Sequence, residues 1–185
     1  MSEKTRVPLS EAEAIAETIV ETLSPVCERI EIAGSIRRRK KDVADVEIVC
    51  IPRMRADGLF GDGSIDQLRQ LCDGLLASGR MAHRRDVNGR RSYGDKFKRL
   101  LFDGLPLDLF SVLDPNQWGV ILAIRTGPAE YSHKFVTPVV QGGSMPKGMR
   151  VEGGWLWRGG SPVNCPEESD FFREIGVVHI EPAKR

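Results

Sequence analysis

Apolar residues recur at helical spacing near the start of the chain. Ile15, Ile19, Val20 and Leu23 share one face of "EAEAIAETIVETL", and Ser10 followed by Glu13 makes a capping-box pattern, so a helix is predicted that closes at Pro25. The period then changes. "RIEIA" alternates as a half-buried strand does and runs into Gly34-Ser35 and a turn of helix over "IRRRK". "DVADVEIVCI" is the strongest strand signal, closed by Pro52, and Gly58, Gly61 and Gly63 mark a loop. "SIDQLRQLCDGLLASG" returns to helical spacing, with Ser64 as cap, Ile65, Leu68, Leu71, Cys72 and Leu75 on the buried face, and Gly79 as stop.

Two adjacent strands are predicted next, "RRSYGDKFKRLLFDG" and "LPLDLFSVL", joined through the hairpin signal Asp103-Gly104. Helices follow from Asp114-Pro115 to Gly127 and over residues 129–140. Residues 142–160, rich in Gly and Trp, predict a loop and a small hairpin around "GGWLW". "PEESDFFREIG" predicts a short helix with Pro166 at its first position. The order of elements gives an α+β fold with a mixed or antiparallel sheet over residues 1–141, then a small C-terminal α/β lobe, residues 142–185.

Composition adds limits. A chain of 185 residues can bury a real core, and its hydrophobic share of 41% is that of an ordinary globular domain. No run approaches the roughly 20 apolar residues of a membrane span, and "MSEKTRVPLS" has no apolar stretch of a secretion signal. The expected setting is cytoplasmic, a nucleoid or viral one within a host cytoplasm included. Cys27, Cys50, Cys72 and Cys165 form no C-x-x-C pair and read as reduced, buried thiols. The net charge of +1 hides an acidic start and a basic stretch, Arg80, Arg84, Arg85, Arg90, Arg91, Lys96, Lys98 and Arg99. Such a stretch attracts a polyanion, or is an exposed strand whose bases snorkel over Tyr93 and Phe97.

The candidate chemistry lies in the strands. Asp45 and Glu47 alternate with Val46 and Ile48 and so point to one face, and Asp108 sits in the equally apolar "LPLDLF". On neighbouring strands these carboxylates would repel unless a cation joined them. Oxygen donors without His or Cys suit Mg²⁺, with Mn²⁺ as its substitute. A lone D-x-E also fits the solvent-facing side of a half-exposed strand. Just upstream, Gly34-Ser35 can turn tightly into a helix start whose amides attract phosphate. Arg37 and Arg38 can fork onto phosphate oxygens. Trp155 and Trp157 share a side of the predicted hairpin and fit either stacking on a base or sugar or packing. His83, His133 and His179 lack metal-ligand spacing; His133 is a candidate neighbour of a nucleotide.

"AGSIRRRKKDVADVEIV" resembles the Gly-Ser, basic-turn, D-x-[DE] signature of the nucleotidyltransferase superfamily, and looks most like that of the family X DNA polymerases, the polymerase-beta-like group. "TRVPLSEAEAIAETIV", "LPLDLF", "WGVILAIRTGPAEYSHKF" and "PEESDFFREIGVVHIEPAKR" extend the similarity over nearly the whole chain. The resemblance implies a nucleotidyltransferase palm with a small thumb-like lobe. It implies that Asp45, Glu47 and Asp108 hold two Mg²⁺ ions and that Asp108 helps activate a primer 3′-hydroxyl. Gly34, Ser35, Arg38, the backbone of Ala44 and Arg6 would touch the incoming triphosphate. Arg125, Thr126, Gly127 and Ser132 would flank sugar and base, and Arg90, Arg91, Lys96 and Lys98 would follow the DNA backbone.

The implied activity is addition of nucleotides to a primer 3′-OH by a monomeric DNA polymerase, in gap-filling repair, with primer–template DNA and nucleoside triphosphates as partners. Two positions depart from the pattern. Glu47 stands where these polymerases carry Asp, as in other superfamily members. Ile124-Arg125 replaces the aromatic pair before Thr-Gly, which implies weaker discrimination against ribonucleotides. Transfer to RNA, a small molecule or a protein, and nucleic-acid binding without turnover, are the alternatives.

Overall fold

A computed structural model describes residues 6–56 and 64–185; the predicted loop with Gly58, Gly61 and Gly63 lies outside them. The elements are β1 (Val7–Pro8), α1 (Leu9–Leu23), β2 (Cys27–Ile32), α2 (Gly34–Arg37), β3 (Asp42–Val43), β4 (Val46–Pro52), β5 (Met54–Ala56), β6 (Ser64–Asp66) and α3 (Gln67–Ala77). They continue with β7 (Met81–His83), β8 (Phe97–Phe102), β9 (Leu105–Ser111), α4 (Trp118–Thr126), α5 (Ala129–Val136), β10 (Met149–Glu152), β11 (Trp155–Arg158), β12 (Ser161–Val163) and α6 (Glu168–Glu174). The chain is α+β with a mixed sheet. It packs as two compact units, Met1–Ile32 with Lys41–Ser111, and Ala33–Lys40 with Val112–Arg185. These units divide the chain elsewhere than the change in composition near residues 140–145. Among the described residues no helix is long and apolar enough to cross a membrane.

The first unit is built on a sheet ordered β2-β4-β9-β8-β7. β4 and β9 run parallel, and the other pairs are antiparallel. Alternation sorts the side chains into two faces. Val46, Ile48, Leu107, Leu109 and Leu100 lie on one and are fully buried. α1 packs on β2, and α3 on β7. The turn between β8 and β9 is the two-residue one the sequence predicts, with Asp103 at φ 47° and Gly104 at φ 85°. Both values lie in the left-handed region that a type I′ hairpin requires.

Several expected boundaries move. α1 starts at Leu9 behind Pro8, not behind Ser10, because Pro8 already holds the extended conformation of a cap (φ −58°, ψ 151°). Ala12, Ala16, Ile19 and Leu23 are its fully buried residues, while Ile15 and Val20 are half-buried; the small alanines let the helix lie close. The run "DVADVEIVCI" is two strands, for β3 leaves to pair with β1 and the ladder resumes only at Val46. Ser64 belongs to β6, and the cap of α3 is Asp66, whose carboxylate accepts from Arg69 N at 3.0 Å. β7 was not anticipated, and β8 begins at Phe97 rather than near residue 90.

The second unit packs α4, α5 and α6 with the antiparallel meander β10-β11-β12 around Val120, Ala123, Phe135, Leu156, Cys165, Phe171 and Phe172. Phe135 meets Phe171 and Phe172 edge-on. Gly119 allows a close approach: its amide donates to Cys165 O at 2.7 Å, and a Cβ there would fall 2.0 Å from Glu167 O. α6 begins at Glu168, two residues after Pro166, behind a reciprocal cap between Glu167 and Asp170.

Candidate functional site

The parallel ladder sets Glu47 opposite Asp108. Register partners point to the same face, so these acids of two separate strands stand side by side. Asp45 lies just ahead of β4, where the chain leaves β3. It lines, with Asp108 and Ala44, a cavity of about 750 Å³ whose wall also includes Arg84, Arg85 and Arg99, and Glu11 and Ile15 of α1. Asp108 is 8% exposed, and Asp45 and Glu47 are half-buried.

A buried carboxylate is costly unless cations and hydrogen bonds compensate it. For Asp108 two arginines do so. Arg99, its register partner on β8, donates from Nε to Oδ1 at 3.2 Å and from Nη2 to Oδ2 at 3.4 Å. Arg84 brings Nη2 to 3.5 Å from Oδ1, and its backbone amide donates to Arg99 O. The Arg99 guanidinium also lies over the Phe97 ring at 5.4 Å.

In donor chemistry Asp45, Glu47 and Asp108 fit a hard divalent cation. The oxygens of Asp108 are engaged by guanidiniums, and among the described residues no three His, Cys, Asp or Glu are gathered closely enough to cage a metal. A cation at Asp108 would share its oxygens with Arg99 and Arg84 or displace them.

The Gly-Ser turn belongs to the second unit. Gly34 has φ 60°, a left-handed value that favours glycine. Arg38 N donates to Gly34 O at 3.2 Å and Lys40 N to Ser35 O at 3.0 Å, which closes the turn. Arg37 donates from Nη1 to Thr126 Oγ1 at 2.7 Å and from Nη2 to Glu168 Oε2 at 3.0 Å. Arg38 donates from Nη1 to Thr126 O at 2.5 Å, at the carbonyl end of α4.

Glu168 is itself buried, at 6% exposure, and Arg185 donates from Nη1 to its Oε1 at 2.6 Å. Burial pushes its carboxyl up, but the hydrogen bonds and charges of Arg185 and Arg37 outweigh that and hold it below the usual range. His179 Nε2 lies 3.3 Å from Glu168 Oε2 and 3.1 Å from Arg185 Nη2. One nitrogen cannot both donate to the carboxylate and accept from the guanidinium, so the ring's protonation decides which contact is favourable.

The other expected site residues fall into two groups. Thr126 and Ser132 are buried and turned inward, Ser132 Oγ donating to Ile124 O at 2.7 Å. Gly127 lets that hydroxyl in, since a Cβ there would sit 2.5 Å from it. Arg125 and His133 are exposed, and His133 Nδ1 lies 3.2 Å from Thr137 Oγ1. Arg6 is exposed and reaches Asp42 O at 3.5 Å. Arg90, Arg91 and Lys96 are exposed, Arg90 in a loop held by Asp86 Oδ1, which accepts from Asn88 N and Arg90 N.

Lys98 is a correction. It is fully buried on the face opposite Asp108, and its Nζ has no hydrogen-bond partner among the described residues. Strand alternation separates it from Arg99, so it cannot reach a DNA backbone from the surface. Trp155 and Trp157 are half-buried on the side of β11 opposite Leu156, and Arg150 lies 5.2 Å over the Trp157 ring.

The sequence shows Arg84 and Arg99 only as members of a basic stretch, not as partners of Asp108, and does not single out Glu168. The hairpin contains the signal for Arg99, because a two-residue turn pairs Phe102 with Leu105 and, counting back, Arg99 with Asp108. Nothing local marks Arg84 or Glu168. Compared with known proteins, the chain matches no family model and no curated sequence.

Proposed function

We propose that this chain is a DNA-directed nucleotidyltransferase of the family X polymerase kind, with a nucleotidyltransferase palm in its first unit. The single observation that carries the reading is the parallel register of Glu47 with Asp108, beside a cavity of mixed charge that Asp45 also lines. Acids from β4 and β9, brought together by strand pairing, are what the sequence pattern requires.

In the reaction the primer 3′-oxygen attacks the α-phosphorus of a nucleoside triphosphate, the bond to the bridging oxygen breaks, and pyrophosphate leaves. Asp45, Glu47 and Asp108 would hold Mg²⁺, which when bound would neutralise developing charge on the phosphoryl oxygens. Asp108 would take the proton of the attacking hydroxyl. Ser35 and Arg38 would meet the triphosphate, and Arg90, Arg91 and Lys96 would neutralise backbone phosphates without reading sequence.

A primer-extension assay with Mg²⁺ tests the reading. Wild-type protein should lengthen the primer and Asp108→Ala should not; equal extension by both would remove the assignment. A second reading, nucleic-acid binding without turnover, has one observation in its favour: Asp108 is already satisfied by Arg84 and Arg99. Binding in a gel shift with no turnover under Mg²⁺ or Mn²⁺ would select it.

A further inference from the structure

The two arginines after Ser35 are neighbours in sequence but differ in what holds them. Arg38 meets the backbone carbonyl of Thr126. Arg37 reaches the Thr126 hydroxyl and the buried carboxylate of Glu168. Glu168 in turn accepts from Arg185, whose side chain is fully buried and lies over the Phe172 ring at 5.1 Å. Arg185 Nε donates to Ile180 O at 2.6 Å, and the His179 ring lies 5.3 Å from that of Phe172.

We infer that Glu168 is a positioning residue: clamped by Arg185, it fixes Arg37, and with it the turn that presents Ser35 and Arg38 to a phosphate-bearing ligand. The functional half rests on the nucleotidyltransferase reading; the structural half does not.

The physical reason is a division of labour. A carboxylate has oxygens enough for a bidentate arginine or for separate cations. Here Oε1 takes Arg185 and Oε2 takes Arg37, so the carboxylate bridges two guanidiniums and is satisfied by both. Arg37 is committed to that bridge, while Arg38 donates to the carbonyl of the Thr126 whose hydroxyl Arg37 meets. Removing the Glu168 charge would leave Arg37 and Arg185 without their common acceptor, and the turn from Gly34 to Lys40 would lose its carboxylate anchor and keep the contacts of Arg37 and Arg38 with Thr126.

Two readouts test this on the full-length protein. The first is amide hydrogen exchange by NMR, with no ligand. In Glu168→Gln the amides of Arg38 and Lys40 should exchange faster by on the order of tenfold, as loss of a charge-assisted hydrogen bond implies, while the amides of β10 to β12 keep their wild-type rates. Unchanged exchange at Arg38 and Lys40, or an equal rise throughout the unit, overturns the inference. The second is the dissociation constant of a fluorescent nucleoside triphosphate with Mg²⁺. It should weaken about tenfold in Glu168→Gln and in Arg185→Met, and recover part of the way in Arg185→Lys, which restores the charge without the fork.

The two failures are distinct. A wild-type chain that binds no triphosphate overturns the nucleotidyltransferase reading, yet the exchange result still decides the positioning. A wild type that binds, with variants that bind equally well, overturns the role of Glu168 alone. If Glu168→Gln does not fold, the double variant Arg37→Met with Glu168→Leu removes both charges at once. With Arg185→Met added, so that no buried guanidinium is left without its carboxylate, the variant should recover the melting temperature without recovering nucleotide affinity, and recovery of both would also overturn the inference.

Discussion

Arg99 and Asp108 face each other across the β8–β9 hairpin and are joined by a forked contact of 3.2 and 3.4 Å. The pairing is a consequence of turn length, and it places a guanidinium on the carboxylate that the proposed chemistry needs most. Replacing Arg99 by Leu leaves Asp108 with Arg84 alone. Charged hydrogen bonds contribute about 1.5–3 kcal/mol, and with the Arg99 side chain 30% exposed solvent screening brings this to about 1 kcal/mol. Urea unfolding should show that loss, and an unchanged midpoint would mean that the fork contributes nothing in solution.

Acid should weaken the second unit through Glu168. Its carboxyl is held below the ordinary value of 4.5 in the folded protein. Stability from this group is therefore complete above the unfolded value and is lost as pH falls through the lower folded one. Melting temperatures measured from neutral pH downward should fall in that acid range. Glu168→Gln should flatten this part of the profile; a slope identical to wild type would show that other carboxylates govern it.

Lys98 and the exposed arginines should separate cleanly in DNA binding. Arg90→Ala with Arg91→Ala should weaken binding to any duplex and shallow the salt dependence, roughly one unit of slope per lost phosphate contact. Lys98→Met should leave both unchanged and raise the melting temperature, because it replaces a buried amine that makes no hydrogen bond among the described residues and lies 5.8 Å over the Tyr93 ring. A large affinity loss in Lys98→Met would contradict the buried placement.

Gly119→Ala should be among the most damaging small substitutions in the second unit. The added carbon would meet backbone, Glu167 O at 2.0 Å and Cys165 O at 2.8 Å, and neither can swing aside as a side chain would. Overpacking of this kind costs about 1–3 kcal/mol or more. Thermal unfolding of the variant measures it, and a wild-type melting temperature would show that α4 and the 165–167 segment can part freely.

What could be read from the chain was whatever its local chemistry dictates. Asp103-Gly104 fixes a hairpin, and its two-residue turn fixes with it the Arg99–Asp108 pairing, three pairs back from the turn-closing pair Phe102–Leu105. The paired glycines 153–154 fixed another. Alternation in "DVEIVCI" marked β4, but not the break at Ala44–Asp45, because β3 departs to pair with β1, a partner far away in sequence. Ser10 and Ser64 both looked like caps and neither is one, since Pro8 and Asp66 compete for those positions. At the candidate site the acids could be named from spacing, but their arginine partners could not. Arg84 and Glu168 acquire meaning only from tertiary neighbours, and Lys98 looked like one more base in a basic run until strand parity turned it inward.

The excursion of residues Ala33–Lys40 into the packing of the C-terminal unit has a genetic corollary. Neither unit is a contiguous stretch of gene. A fragment beginning at Val112 would inherit Glu168 and Arg185 but not Arg37, and a fragment ending at Ser111 would encode Arg37 without the carboxylate that holds it. Splitting this chain at its most obvious boundary would strip Arg37 of its carboxylate and leave Glu168 with Arg185 but without the second guanidinium it bridges.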